Sequence, residues 1–150
     1  MPPVLSVRDL AVDFKVADGI VNAVRGVSFE AVKGETLAIV GESGSGKSQI
    51  MMAVMGLLAS NGQARGGVFY QGESILGAPA ALARLRGAKM TMIFQEPMTS
   101  LDPLYKIGHQ MGLPLMRHQG LSSRGARARA GASEAGAHSQ SRAAAGFLSA

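Results

Sequence analysis

The sequence predicts an α/β fold built around one strand–loop–helix unit, and three observations predict it. Thr36-Leu37-Ala38-Ile39-Val40 is a short apolar run, the pattern of a buried strand. Gly41-Glu42-Ser43-Gly44-Ser45-Gly46-Lys47-Ser48 follows at once, with glycine at three of its eight positions. Ile50 to Leu58 is then apolar on all sides, the pattern of a buried helix. The middle stretch fits G-x-x-x-x-G-K-[ST], the phosphate-binding P-loop, and a strand before it with a helix after it is the context that supports that reading.

Each residue type in the loop has a physical reason. Gly41, Gly44 and Gly46 can take positive φ and let the backbone approach a ligand closely. Successive N–H groups then face one concavity, and the helix N-terminus adds partial positive charge, so an anion is favoured there. Lys47 brings a compact cation to the β/γ-phosphates, and the Ser48 hydroxyl suits Mg²⁺. Glu42 and Ser43 lie inside the loop, with Glu42 expected to face solvent.

The elements around this unit follow in order. Val4 to Phe14 places Val4, Leu5, Val7, Leu10, Val12 and Phe14 in a near-alternating strand pattern. Ala17-Asp18-Gly19 is a hairpin turn, and Ile20 to Ala31 reads as the second strand, interrupted at Gly26. Lys33-Gly34 turns into the third strand, 36–40. Asn61-Gly62 and Gly66-Gly67 are breakers, so only Gly67 to Tyr70 reads as a strand before a turn at Gln71-Gly72. Pro79 to Arg86 predicts a helix with proline at its first position. Lys89 to Phe94 reads as a further buried strand that stops at Gln95-Glu96-Pro97. Ser100-Leu101-Asp102-Pro103 is a turn or cap, and Ile107 to Met116 a helix disrupted at Pro114.

Composition sets outer bounds. A chain of 150 residues with 47% hydrophobic content suits one globular domain. The longest apolar run, Ile50 to Ala59, is about half of a bilayer span and contains Gly56. No basic segment followed by an apolar stretch opens the sequence, so no signal peptide is read there. With no cysteine, these residues form no disulfide and hold no Cys-ligated zinc or iron–sulfur cluster. His109, His118 and His138 have no metal-ligand spacing.

From Arg124 the sequence changes character. Its last 27 residues hold ten Ala and four each of Gly, Arg and Ser, and carry +3 of the net charge of +5. Nucleic-acid binding would rest on this tail alone, and the tail has no aromatic interleaving and no recognisable motif. Residues 124–150 are expected to be disordered or weakly helical and to stand apart from a folded part spanning 1–123.

Three blocks together resemble the ATP-binding subunit of an ABC transporter: Ala23 to Phe29, the loop Gly41 to Ser48, and Met92 to Pro103. The last block is similar to the Q-loop region of bacterial oligopeptide, dipeptide and nickel importers. The resemblance runs from about Leu5 to about Ala130. It implies a P-loop NTPase core with an N-terminal antiparallel β subdomain, incomplete within these residues. The implied ligands are ATP and Mg²⁺. By position, Gly41 to Ser48 would hold the phosphates. Phe14 would stack on adenine, with a core phenylalanine as the alternative. Gln95 would be the Q-loop glutamine that reaches Mg²⁺ or the attacking water. Glu96 is read as a loop carboxylate rather than a base, and Met51, Met52 and Met55 as core filler.

The resemblance also implies partners. The region Gln95 to Ile107 would dock permease transmembrane subunits. A second ATP-binding subunit would close the site, a solute-binding protein would act indirectly, and no nucleic acid is involved. The implied location is peripheral, on the cytoplasmic face of the inner (plasma) membrane. Three family features are missing from these 150 residues: an L-S-G-G-Q-type signature, an apolar strand ending in Asp-Glu, and the switch histidine. The expectation is therefore a chain truncated or frameshifted after about Ala130, with little or no ATP turnover alone. The alternatives are a non-catalytic remnant, or a nucleotide-binding module with no transport role. A P-loop kinase is opposed by the roughly 40 residues of β preface.

Overall fold

The computed structural model describes residues 2–95 and 101–131. It divides into two compact units between Arg86 and Gly87.

The first unit is built on a four-stranded antiparallel sheet. Strands β1 (Leu5–Val16), β2 (Gly19–Ala31), β3 (Gly62–Tyr70) and β4 (Glu73–Ser74) lie in the order β2-β1-β3-β4. The β1–β2 hairpin turns through Ala17 and Asp18, pairing Val16 with Gly19, as the Asp-Gly signal predicts. Strand β3 is longer than expected, because Gly62, Gly66 and Gly67 fall inside it rather than ending it. Gly66 has φ 105° and lies where a bulge in β1 raises Asp9, itself at φ 45°. A side chain at Gly66 would run into the carbonyls of Arg8 and Asp9, so the glycine that reads as a breaker is what lets the pairing continue. Ser28 Oγ holds the bulge by accepting the Asp9 N–H at 2.8 Å.

One face of this sheet packs on helices. Val7, Leu10 and Val12 of β1, Val24 of β2, Val68 of β3 and Ile75 are buried. Ile50, Ala53, Val54 and Met55 of helix α1 (Lys47–Met55) are buried too, as are Ala81 and Leu82 of α2 (Pro79–Leu85). Helix α1 stops at Gly56, at φ 61°, whose amide and that of Leu57 bond the Ala53 and Met52 carbonyls at 3.0 and 2.8 Å. A Cβ there would lie 2.5 Å from Leu82 Cδ1, so α2 packs against bare backbone.

The two predicted core strands are corrected here. Residues 36–40 and 91–94 form no strand and belong to no sheet. Among the described residues, no backbone hydrogen bond from either segment reaches a partner. Val40 is 89% and Ile93 90% exposed. An apolar run specifies a strand only when neighbours supply the ladder, and a strand buried on both faces needs a neighbour on each edge.

In the second unit, α3 (Ile107–Gln119) runs through Pro114 and ends at Gly120, φ 64°. This corrects the expected break. Proline removes one helical hydrogen bond, and the flanking turns are retained. Ahead of α3, Gln110 braces the turn by bonding both the Asp102 N–H and C=O at 2.8 Å. Residues 123–131 are helical, with Ser122 accepting the Gly125 and Ala126 amides at their start. Ala126 and Ala130 are buried, and so is Gly112 of α3. Alanines four apart make a narrow buried stripe that a search for large apolar residues overlooks.

Candidate phosphate-binding site

The loop Gly41–Ser48 runs from the unpaired segment 36–40 into the first turn of α1. Gly44 (φ 79°) and Gly46 (φ 86°) take the left-handed conformation expected of them. Gly41 does not take positive φ; it leaves room beside Ser45, since a Cβ there would lie 2.7 Å from Ser45 Oγ and turn that hydroxyl aside. The loop closes through a turn in which the Ser45 N–H donates to the Glu42 carbonyl at 3.2 Å.

Gly46 is the N-cap of α1 and carries no capping side chain. The N–H groups of Lys47, Ser48 and Gln49 in the first turn lack intrahelical acceptors, as at every helix start. With no acidic residue in that turn, its partial positive charge is uncompensated by the helix itself. These groups open onto a cavity of about 260 Å³ lined by Ala23 and Gly44 through Gln49. That is below the roughly 300–1,000 Å³ of a pocket that engulfs a whole small ligand. It suits the phosphate end of a nucleotide, with the remainder outside.

Strand β2 supplies the floor of this cavity. Val12 pairs with Val24 and Asp13 with Asn22, so Ala23 is the extra residue of a bulge. The Ala23 carbonyl and the Val24 side chain face Gly46, and a side chain at Gly46 would collide with that carbonyl. The bulge is what brings β2 under the loop. Ala23 opens one of the blocks that carry the family resemblance, yet nothing in the residue pattern marks a bulge there, and nothing marks Gln49.

Lys47 folds back over the loop. Its Nζ donates to the Gly41 carbonyl at 2.7 Å, the Glu42 carbonyl at 2.6 Å and Ser45 Oγ at 3.1 Å. The ammonium is thus fixed at the cavity mouth by the loop's own acceptors. Ser48 lies in the first turn of α1 and is exposed, beside Lys47. Among the described residues no group of three His, Cys, Asp or Glu side chains could hold a metal, so Mg²⁺ at this site would depend on Ser48 and on oxygens of the bound phosphates. The donor set fits a phosphate chain accompanied by such an ion. Glu42 and Ser43 are exposed.

The other expected site residues lie elsewhere. Phe14 is half-buried near the end of β1, opposite Gly62 of β3, where a Cβ would meet the Phe14 ring at 2.6 Å. It does not line the cavity. Gln95 belongs to the second unit, exposed in a bend after 91–94. Glu96 and the rest of 96–100, within the expected docking region, lie outside the described residues, as does His138. A further residue holds α1 from its far end: Arg86 Nε donates to the Met55 carbonyl at 2.7 Å and Nη2 to the Gly56 carbonyl at 2.8 Å. A cation on the last carbonyls of a helix is favourable. The sequence places Arg86 at the end of α2 without showing this reach.

A profile of the ABC transporter family matches residues 24–148, which include the whole loop. The chain belongs to the ABC transporter family. The match continues past Ala130, where the resemblance in the sequence is expected to end. The chain is 49% identical over 121 residues to the oligopeptide transport ATP-binding protein OppD of Haemophilus influenzae, covering 80% of this chain and 38% of that protein. It is 50% identical over 119 residues to OppD of Escherichia coli, covering 79% and 35%. It is 45% identical over 127 residues to the oligopeptide transport ATP-binding protein AmiE of Streptococcus pneumoniae, covering 83% and 36%. The chain thus spans less than two-fifths of each of these relatives. The four-stranded antiparallel sheet, the loop and α1 form part of the P-loop fold of an ABC ATPase. Among the described residues no helix is long and apolar enough to cross a membrane.

Proposed function

We propose that this chain binds Mg-ATP through Gly41–Ser48, as the N-terminal part of the ATP-binding component of an importer for oligopeptides or dipeptides. Such a component couples ATP binding and hydrolysis to transport through a membrane permease. The observation that carries the reading is the loop itself. Lys47 is fixed at the mouth of a small cavity onto which the first-turn amides of α1 open. Close identity to relatives named as oligopeptide transport ATP-binding proteins supports the transported class.

Residue roles follow from chemistry and position. The amides of Gly44 to Ser48 and the Lys47 ammonium hold the β/γ-phosphates. Ser48 ligates Mg²⁺, which when bound neutralises phosphate charge. Phe14 stacks on the adenine ring, which then lies outside the phosphate cavity. Gln95 serves as the Q-loop glutamine for the metal or the attacking water, and Gln95 to Ile107 receives the permease. The protein works at the cytoplasmic face of the inner membrane, paired with a second ATP-binding subunit.

A second reading, a nucleotide-binding module without transport or turnover, is favoured by one observation. The segments 36–40 and 91–94 lack sheet partners among the described residues. The two readings part in a simple pair of assays. Mg-ATP is expected to raise the melting temperature of the purified chain, and Lys47→Ala to abolish the shift. Phosphate release by residues 1–150 alone is expected to stay at background. Sustained, Lys47-dependent release would overturn the expectation of an inactive chain, and no melting shift would overturn nucleotide binding.

A further inference from the structure

We infer that Ser45 is a positioning residue for Lys47: its hydroxyl holds the third donor of the ammonium until a phosphate oxygen replaces it. The inference rests on the nucleotide-binding reading and deepens it. An ammonium has three N–H donors and no acceptor. All three are occupied here, by the Gly41 carbonyl, the Glu42 carbonyl and Ser45 Oγ. A phosphate oxygen therefore gains a full hydrogen bond from Lys47 only if one of these gives way.

The three acceptors are not equivalent. The carbonyl contacts are 2.7 and 2.6 Å and belong to the loop backbone. The contact to Ser45 Oγ is the longest, at 3.1 Å, and is the one made by a side chain that can rotate away. The Ser45 backbone is anchored by its own bond to Glu42, which holds the hydroxyl beside the lysine. Bare backbone at Gly41 leaves room for it, since a Cβ there would sit 2.7 Å from Oγ. Gly41, Ser45 and Lys47 thus form one device. The carbonyls keep the ammonium at the cavity mouth, and Ser45 keeps its third proton off the cavity while no phosphate is present.

Removing the hydroxyl frees that proton in advance. The bond is charge-assisted, but it is long and exposed, so its loss is expected to change affinity by roughly two- to tenfold. Ser45→Ala is therefore expected to tighten Mg-ATP by that factor. Ser45→Thr restores the hydroxyl and is expected to return the Kd toward the parent value. In a Lys47→Ala background, Ser45→Ala is expected to lose its effect, which a merely structural role for Ser45 would not produce. Calorimetric titration with Mg-ATP, alongside melts of the free proteins, reads all of these. Equal or weaker binding by Ser45→Ala, in a chain that binds Mg-ATP and melts normally, overturns the role of Ser45 and leaves nucleotide binding standing. Failure of both the parent and Ser45→Ala to bind overturns the two readings together.

Discussion

Val12 and Val40 are both valines in apolar runs that read as strands, yet one is 0% and the other 89% exposed. Val12 lies in β1, paired with Val24 on one side and Ala64 on the other. Val40 lies in a segment with no backbone partner among the described residues. The same contrast separates Val68 of β3 from Ile93. Apolar, β-branched residues supply the tendency to extend; burial and the ladder come from neighbouring strands. The antiparallel sheet finds its neighbours among residues 5–74: β1 and β2 join through a two-residue turn, and β3 returns to β1 after the loop and α1. The segments 36–40 and 91–94 find none in the described residues. The P-loop sits at the join of these regimes. It enters from an unpaired segment and leaves on a helix whose inner face is buried.

The largest expected effect is in the paired region. Leu10→Ala removes a fully buried side chain from β1 and is expected to destabilise the chain by about 2–5 kcal/mol in urea titration. Ile93→Ala should stay within about 0.5 kcal/mol of the parent, as an exposed position does. Equal losses would break the comparison, because they would mean that 91–94 is buried in solution.

Next in size is the join itself. Gly46→Ala forces a side chain into a left-handed position against the Ala23 carbonyl, with an expected loss of about 1–3 kcal/mol. It should also remove the thermal shift by Mg-ATP, since the loop can no longer rest on the β2 bulge. Arg86→Ala removes two hydrogen bonds from the far end of α1, for about 1 kcal/mol at a partly exposed site, and Arg86→Lys should recover less than half of it. Smallest of all, Val40→Thr is expected to change stability by under about 0.5 kcal/mol. Hydrogen exchange sharpens the same point. The Val40 amide should exchange without protection, while amides of β1 exchange only through opening of the sheet.

The sequence made the local features legible. Asp18-Gly19 marked the hairpin, Pro79 the start of α2, and the glycines and Lys47 marked the loop, because turn and phosphate chemistry depend on residue type at fixed spacing. It was less informative wherever structure depends on what lies opposite. Gly66 reads as a breaker and is a fitting for the Asp9 bulge. Ala23 has no signature, yet its carbonyl faces Gly46 beneath the loop. Arg86 reads as a charge at a helix end and reaches across to cap another helix. Thr36 to Val40 reads as a strand because its own residues favour one, and its partners are not encoded in it. From Arg124 the sequence suggests at most a weak helix, because alanine buries little surface; the helix at 123–131 nonetheless fits Ala126 against Gly112.

The proposed phosphate site of Gly41–Ser48 depends on its ammonium. It is tested most directly by the equilibrium Kd for Mg-ATP of the purified 150-residue chain and of its Lys47→Ala variant. A loss of at least about tenfold on removing the ammonium is expected, the effect of one charge-assisted contact. Indistinguishable Kd values in two chains with the same melting temperature would mean that Lys47 holds no phosphate.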